Sequence, residues 1–333
     1  MQLNLRYDMN SPPFGAPHPV LYRTAIEQSV WADKLGFNQV FLAEHHGAEH
    51  GYCPSSMVQA ASILGATQKI KAHLSALLVT MHDPLRLAED LAVLDNLSNG
   101  RVVITAGMGY RPHEFEMFGR DISKRLALMN RALDTLRKAW TGEPFEFEGR
   151  TVRVTPRPVQ PGGPKIYMGG STEKSAIRAA RGGYEYLPGH PDLFKIYLEE
   201  RERCGFGPSP SQRRGAASFL YVSEDPDRDW PILAPHVAYA TNLYAEWATE
   251  RGVGDTLYRP AESAEALKAM PNIKVLTPDQ CFDYLMGLPS ETSVNFHALL
   301  GGLDPDVSWK GLLLFEKAVL PRLKDAGVVE LNS

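Results

Sequence analysis

The chain has 333 residues, 44% of them hydrophobic and 22% charged, with a formal net charge of -4; this balance suits a folded protein and excludes the positive field that nucleic acid requires. Its three cysteines, Cys53, Cys204 and Cys281, are far apart and form no C-x-x-C pair, which argues against a disulfide frame or thiolate zinc site and leaves buried thiols in a reducing cytoplasm as the expectation. The opening MQLNLRYDMN carries an arginine and an aspartate where a signal peptide needs an apolar core, and no uncharged apolar run approaches about 18 residues, so a cytoplasmic chain with no membrane partner is expected.

Short β-like runs alternate with helical patterns from the first residue, and no composition shift or repeat marks a linker, which predicts one continuous domain over 1–333. QLNLRY at 2–7 reads as the first strand; after the proline-rich stretch at 11–19 a helix runs from Leu21 to Leu35, where Gly36 ends it. NQVFLAE at 38–44 is the second strand, and the next helix opens at Pro54-Ser55-Ser56 and closes at Gly65. The apolar run 70–79 is the third strand, followed by a helix within 82–100 that has Pro84 in its first turn and Asn99-Gly100 at its end. Strands at 101–107, 165–170 and 184–188 then alternate with helices at 122–140, 172–182 and 191–203. GAASFLYVS at 215–223 reads as a seventh strand, SVNFHALL at 293–300 as an eighth, and 306–323 as the last helix. Eight such units predict an α/β fold of the (β/α)8 TIM barrel type, because right-handed crossovers of this number close on themselves. The stretch 224–292 exceeds one helix and is expected to be a helical insertion between strands seven and eight, carrying 229–247 and 261–288.

In such a barrel the loops after the carboxyl ends of the strands build the active site. That rule selects Glu44, His45 and His46 after strand two, Thr80 to Asp83 after strand three, Gly107 to Arg111 after strand four, and Gly169 to Thr172 after strand five. It also disposes of decoys. HGAEH at 46–50 has zinc-protease spacing, but that chemistry needs both histidines on one helical face, and Gly47, Gly51 and the preceding strand oppose a helix there. No metal site is expected. GMGYRP at 107–112 has Pro112 where a dinucleotide fingerprint needs its third glycine, and no G-K-[ST] phosphate loop occurs. The charged runs at 198–203 and 225–229 read as solvated surface.

Two motifs remain. GGSTEKSA at 169–176 turns from strand to helix; Gly169 and Gly170 allow close backbone approach, and the N–H groups at Ser171 and Thr172 suit either a phosphate or an ordinary helix cap. The stretch 107–119 brings Gly107, Met108, Gly109 and Tyr110 to the mouth of strand four, where glycines serve a cofactor pressed against backbone or a tight turn.

FLAEHHGAEHG at 41–51, the segment HDPLRLAEDLAVLDNLSNGRVVITAGMGYRPHEFEMFG at 82–119, PKIYMGGSTEKSAIRAARGG at 164–183 and NFHALLGGLDPDVSWKGLLLFEKAVLPRL at 295–323 together resemble the bacterial luciferase-like flavin monooxygenases. The resemblance covers most of the chain outside 224–292. It implies a homodimeric barrel that takes reduced FMN from a separate flavin reductase and oxidises a small organic substrate with oxygen through a flavin 4a-hydroperoxide. It places His45 beside the flavin as acid or base, flanked by Glu44 and His46. It puts a non-proline cis peptide at Ser75-Ala76 under the flavin ring, and the phosphate at Gly169, Gly170, Ser171 and Thr172. Luciferase has an arginine phosphate ligand where this chain has Met108, and a substrate-side cysteine where it has Gly107, so aldehyde specificity and light emission do not carry over; Arg111 or Arg125 would supply the cation or form surface ion pairs. Two readings stay open beside it: an oxidoreductase using the deazaflavin coenzyme, and a non-catalytic flavin-binding partner subunit. Tyr239, Tyr244 and Trp247 would line an apolar pocket or pack in the core.

Overall fold

Prolines, glycines and capping side chains set the ends of the elements. The computed structural model describes residues 1–188, 192–207, 209, 214–250 and 260–332. In chain order come β1 (Gln2–Tyr7), α1 (His18–Leu35), β2 (Gln39–Leu42), α2 (Ser56–Ala66), β3 (Lys71–Leu78), α3 (Pro84–Ser98), β4 (Val102–Gly107) and α4 (Pro112–Met117). Then follow α5 (Arg125–Ala139), the short strands β5 (Phe145–Phe147) and β6 (Arg150–Val152), β7 (Lys165–Gly170), α6 (Glu173–Arg181), β8 (Glu185–Pro188) and α7 (Asp192–Arg203). The remainder holds β9 (Arg214–Gly215), β10 (Phe219–Val222), α8 (Pro226–Glu250), α9 (Ala264–Lys268), β11 (Ile273–Leu276), α10 (Pro278–Met286), β12 (Thr292–Phe296), α11 (Pro305–Ala318) and α12 (Leu320–Asp325). Gly36 ends α1 in the left-handed region, φ 87°, which a side chain would resist. Asp83 opens α3 by accepting the Leu85 and Arg86 N–H groups, with Pro84 at the first position, and Asn99 closes it, φ 54°.

By contact the chain forms two compact units: unit 1 is Met1–Phe41, Ala48–Cys53 and Arg213–Ser333, and unit 2 is Leu42–Gly47 and Pro54–Gln212. In unit 2 a parallel sheet runs in the order β3, β4, β7, β8, with Ala72 opposite Val102, Val103 opposite Lys165 and Tyr167 opposite Glu185. Because all four strands run the same way, Leu78, Gly107, Gly170 and Pro188 mark one carboxyl edge. Leu74, Ile104, Ala106 and Met168 of the strands, and Leu87, Leu91, Leu133 and Leu136 of the helices, are buried in its core. Unit 2 also holds α4 and an antiparallel β5–β6 hairpin, Phe145 opposite Val152, neither of which the sequence reading placed.

In unit 1, β1 pairs in parallel with β12, and β12 with the two-residue β9. The expected seventh strand at 215–223 is not one strand: β9 ends at Gly215, and β10 instead pairs in parallel with β11, Phe219 opposite Ile273 through Val222 opposite Leu276. The span 224–292 is therefore not helical throughout, and the helix expected over 261–288 is α9, β11 and α10. The physical cause lies in Pro271, which disfavours helical backbone at Met270 and stops α9. A new helix then starts at Pro278 under a capping box of Thr277 and Gln280. Between these, four consecutive buried residues of β10 require a partner strand, which IKVL provides.

Cys53 and Cys281 are buried as expected, whereas Cys204 is exposed. No helix among the described residues is long and apolar enough to cross a membrane. Pro191, the expected first residue of the helix at 191–203, lies outside the described residues.

Candidate functional site

Glu44, His45 and His46 leave the end of β2 and are all buried in unit 2. Glu44 Oε1 accepts hydrogen bonds from Nε2 of His46 at 3.0 Å and Nε2 of His82 at 3.1 Å, and Oε2 accepts from Ser56 Oγ at 3.1 Å. A carboxylate only accepts, so both imidazoles present Nε2–H to it. Burial pushes the Glu44 carboxyl up, but the hydrogen bonds and charge of His46 and His82 outweigh it and bring it down to about 2. Glu44 is thus a fixed anion that locks two histidine rings, with His46 further held edge-on against Phe118, centroids 4.8 Å apart.

His45 points elsewhere. Its Nδ1 lies 2.8 Å from Glu114 Oε1, which also accepts the backbone N–H of His46 at 3.0 Å. The carboxylate fixes the Nδ1–H tautomer and leaves Nε2 as the basic nitrogen of the ring. Glu114 is fully buried in α4, and its Oε2 has no hydrogen-bond partner among the described residues. A buried carboxylate oxygen without a donor is costly, and such atoms collect where a ligand completes the site. The Tyr110 ring stands edge-on to His45, centroids 5.7 Å apart. Sequence reasoning selected His82 only within the Thr80–Asp83 stretch and missed Glu114, because nothing local ties Glu114 to a histidine 69 residues away.

At the carboxyl edge of the sheet, the Ser75–Ala76 peptide is cis and the β3–β4 register slips between Ser75 and Leu77, where the resemblance had placed it. Gly107 faces this bulge, and a Cβ there would come within 2.8 Å of the Ala76 Cβ. Met108 offers its carbonyl to Thr80 Oγ1 at 3.1 Å, and Gly109 takes φ 70° against Phe115. His73, on the same strand, is a different kind of histidine. It is buried and bonded to Thr105 Oγ1 at 2.8 Å, and burial, with a contribution from Lys165, pushes it down to about 3, so it stays neutral.

The β7–α6 turn is more committed than the sequence suggested. Thr172 caps α6: its hydroxyl accepts the Ser175 N–H and its own N–H donates to Ser175 Oγ, each at 3.2 Å. A Cβ on Gly170 would overlap Ser175, so the glycine is what lets this box close. Thr172 therefore serves the helix, which leaves the Ser171 hydroxyl and the first-turn N–H groups of Glu173 and Lys174 to meet an anion. Arg111 is the cap residue of α4, and Arg125 opens α5. Arg125 repels Arg178 of α6, a residue the sequence reading did not name; burial, then this repulsion, lowers the Arg178 guanidinium from its ordinary value. Among the described residues neither Arg125 nor Arg178, which lies in the last turn of α6, has a carboxylate partner, and two neighbouring guanidiniums of this kind suit an anionic group.

The H-x-x-E-H spacing lies on no helix, and no cluster of three or more His, Cys, Asp or Glu among the described residues is arranged to hold a metal ion.

Comparison with known proteins shows what the chain resembles. The sequence pattern described as luciferase-like monooxygenase matches residues 10–287. The alkanal monooxygenase alpha chain of Photorhabdus luminescens is 30% identical over 157 residues, 46% of this chain and 43% of its own length. The chain spans about half the length of the curated relatives it matches. Among solved structures, the oxygenating constituent of 3,6-diketocamphane monooxygenase from Pseudomonas putida, a type II Baeyer-Villiger enzyme in complex with FMN, superposes with a TM-score of 0.76 at 19% identity, covering 97% of this chain and 98% of that one. The coenzyme F420 dependent tetrahydromethanopterin reductase of Methanopyrus kandleri superposes with a TM-score of 0.64 at 16% identity, covering 96% and 99%. These likenesses establish the α/β fold with its parallel sheet.

Proposed function

The chain belongs to the luciferase-like monooxygenase family, and from that premise we propose that it is an FMN-dependent monooxygenase that takes reduced FMN from a separate reductase and oxidises a small organic substrate with oxygen. The reading carries with it a single-domain (β/α)8 barrel over 1–333, with 224–292 inserted before the last strand, working in the cytoplasm as a homodimer. The observation that carries it is the buried His45–Glu114 pair, held 2.8 Å apart between the stretch after β2 and helix α4, which follows β4.

The residues fit a flavin. Gly107 and Gly109 add no side chain at the end of β4 beside the Ala76 bulge, and Arg125, Arg178, Ser171 and the start of α6 offer positive charge and N–H donors for its phosphate. Bound reduced FMN would supply the electrons that activate oxygen. The protein's part is positional and acid–base: Glu114 holds the His45 ring, Nε2 moves a proton to or from the reacting oxygen, and Glu44 keeps His46 and His82 from drifting into the site.

Anaerobic titration with reduced FMN and reduced riboflavin tests the reading. Wild type is expected to prefer reduced FMN, and Arg125→Ala to weaken FMN by about ten- to a hundredfold, the loss for a hydrogen bond to a charged group, with riboflavin unchanged. Equal binding of the two flavins would count against a phosphate site here. The likeness to a coenzyme F420 dependent reductase supports a second reading, hydride transfer with the deazaflavin coenzyme and no oxygen. Tighter binding of that coenzyme than of reduced FMN would favour it.

The homodimer reading draws on Val58 of α2 and Val93 and Leu97 of α3, large apolar side chains each more than half exposed within unit 2. Leu97→Asp should lower the sedimenting mass to that of one chain; an unchanged mass would place any dimer contact elsewhere.

A further inference from the structure

Unit 1 carries a histidine–carboxylate pair of its own, which the flavin reading does not use. β1 and β12 pair in parallel with Leu5 opposite Phe296, so Asp8 and His297 each follow the carboxyl end of their strand, the edge where parallel α/β folds build their sites. Both are buried. His297 Nε2 lies 3.0 Å from Asp8 Oδ2, and neither atom has another partner among the described residues. The carboxylate is also held by the backbone, since the Asn10 N–H donates to its Oδ1 at 3.3 Å.

Charge decides which form each group takes. Burial would raise the Asp8 carboxyl, but the charge and hydrogen bond of His297, the charge of Arg6 and the Asn10 N–H outweigh it and leave it below its ordinary value. Burial lowers His297, Asp8 only partly opposes this, and Arg6 adds to it. The pair is therefore an anion facing a neutral imidazole. Because a carboxylate only accepts, the ring proton sits on Nε2, and Nδ1 is left as a lone-pair acceptor. No described residue donates to Nδ1.

His297 also lines a cavity of about 300 Å³ within unit 1, the lower end of small-molecule sites. Phe219, Val237 and Leu300 line it too, as do Thr241 and Asn272, a mixed set that suits an amphipathic guest. An acceptor nitrogen calls for a donor on that guest. An ammonium is disfavoured as an imidazolium is, by burial beside Arg6, and a carboxylate has no proton to give and meets the Asp8 charge. A hydroxyl donates without carrying charge.

We propose that this cavity binds a small neutral alcohol whose hydroxyl donates to Nδ1 of His297, with Asp8 as the positioning residue that keeps the ring proton on Nε2. The site lies in unit 1 and needs no flavin, so its failure and that of the flavin reading are separate results.

Calorimetric titration of the full chain with cyclohexanol and with cyclohexanone tests this, since the two share a body and only the alcohol donates. One equivalent of cyclohexanol is expected to bind, about two- to tenfold more tightly than the ketone, the net worth of one neutral hydrogen bond. His297→Phe should erase the difference. Asp8→Asn should erase it too, because its amide offers an N–H to Nε2 and so moves the ring proton to Nδ1. Nitrogen NMR of the His297 ring in wild type needs no variant to fold: the proton is expected on Nε2, and the Nδ1 resonance is expected to move on saturation with cyclohexanol. Absence of saturable cyclohexanol binding, equal affinity for the two ligands, a preference that survives either variant, or an Nδ1 resonance that does not respond to the alcohol overturns the proposal.

Discussion

Substitution of His45 by alanine is expected to lower the rate of substrate oxidation by about 100- to 10,000-fold, the usual contribution of a positioned acid or base, while reduced FMN still binds with near wild-type affinity. The separation follows from the geometry, since the groups offered to the phosphate belong to α5, α6 and the turn before α6, whereas His45 is held by α4 through Glu114. Glu114→Gln should cost less, because the amide oxygen still accepts from Nδ1–H, but Glu114→Ala removes that acceptor and the ring loses its fixed tautomer. Nitrogen NMR of the His45 ring reads this directly. Wild type should show a proton on Nδ1, and Glu114→Ala a mixture of tautomers; an unchanged ring in Glu114→Ala would remove Glu114 from the account. A His45→Ala enzyme with normal turnover would remove His45.

The second large effect concerns stability. Glu44→Ala leaves the Nε2–H groups of His46 and His82 and the Ser56 hydroxyl without their acceptor in a buried setting. Breaking a buried charged cluster by removing one member costs about 3–5 kcal/mol, which chemical denaturation would register as a much lower midpoint. Acid sensitivity gives the same residue a sign. The folded carboxyl is lowered from 4.5 to about 2, so its contribution is fully present above pH 4.5 and lost as pH falls through about 2. Wild type should therefore lose stability more steeply over that interval than Glu44→Gln, which has no proton to take up. Parallel acid curves for the two proteins would show that the Glu44 charge is not stabilising.

How much of this the sequence makes legible depends on how local each signal is. The Glu44-His45-His46 run and the Gly169–Thr172 turn sit at strand ends, where a strand period gives way to other chemistry within a few residues, and both can be read directly. Helix starts marked by Pro84 and Pro278, and the glycine stop at Gly36, are likewise local. Glu114 and Arg178 are not. Each looks like an ordinary charged residue of a helix, and only folding brings the first to His45 and the second near Arg125. The helical reading of 261–288 failed for a related reason: IKVL is too short for periodicity to distinguish a strand from a buried helical turn, and its partner in β10 is distant in sequence. Thr172 teaches the reverse lesson. Its hydroxyl suits a phosphate by residue type, yet the nearer claim of the helix cap takes it.

The most direct test of the central claim is the reaction of the protein–reduced FMN complex with oxygen, followed by absorbance in a stopped-flow instrument. The account predicts a reoxidation course that differs from that of free reduced FMN, depends on His45 and changes when an oxidisable organic substrate is present. Reoxidation indistinguishable from free FMN in wild type and His45→Ala alike, together with hydride transfer from the reduced deazaflavin coenzyme, would contradict it.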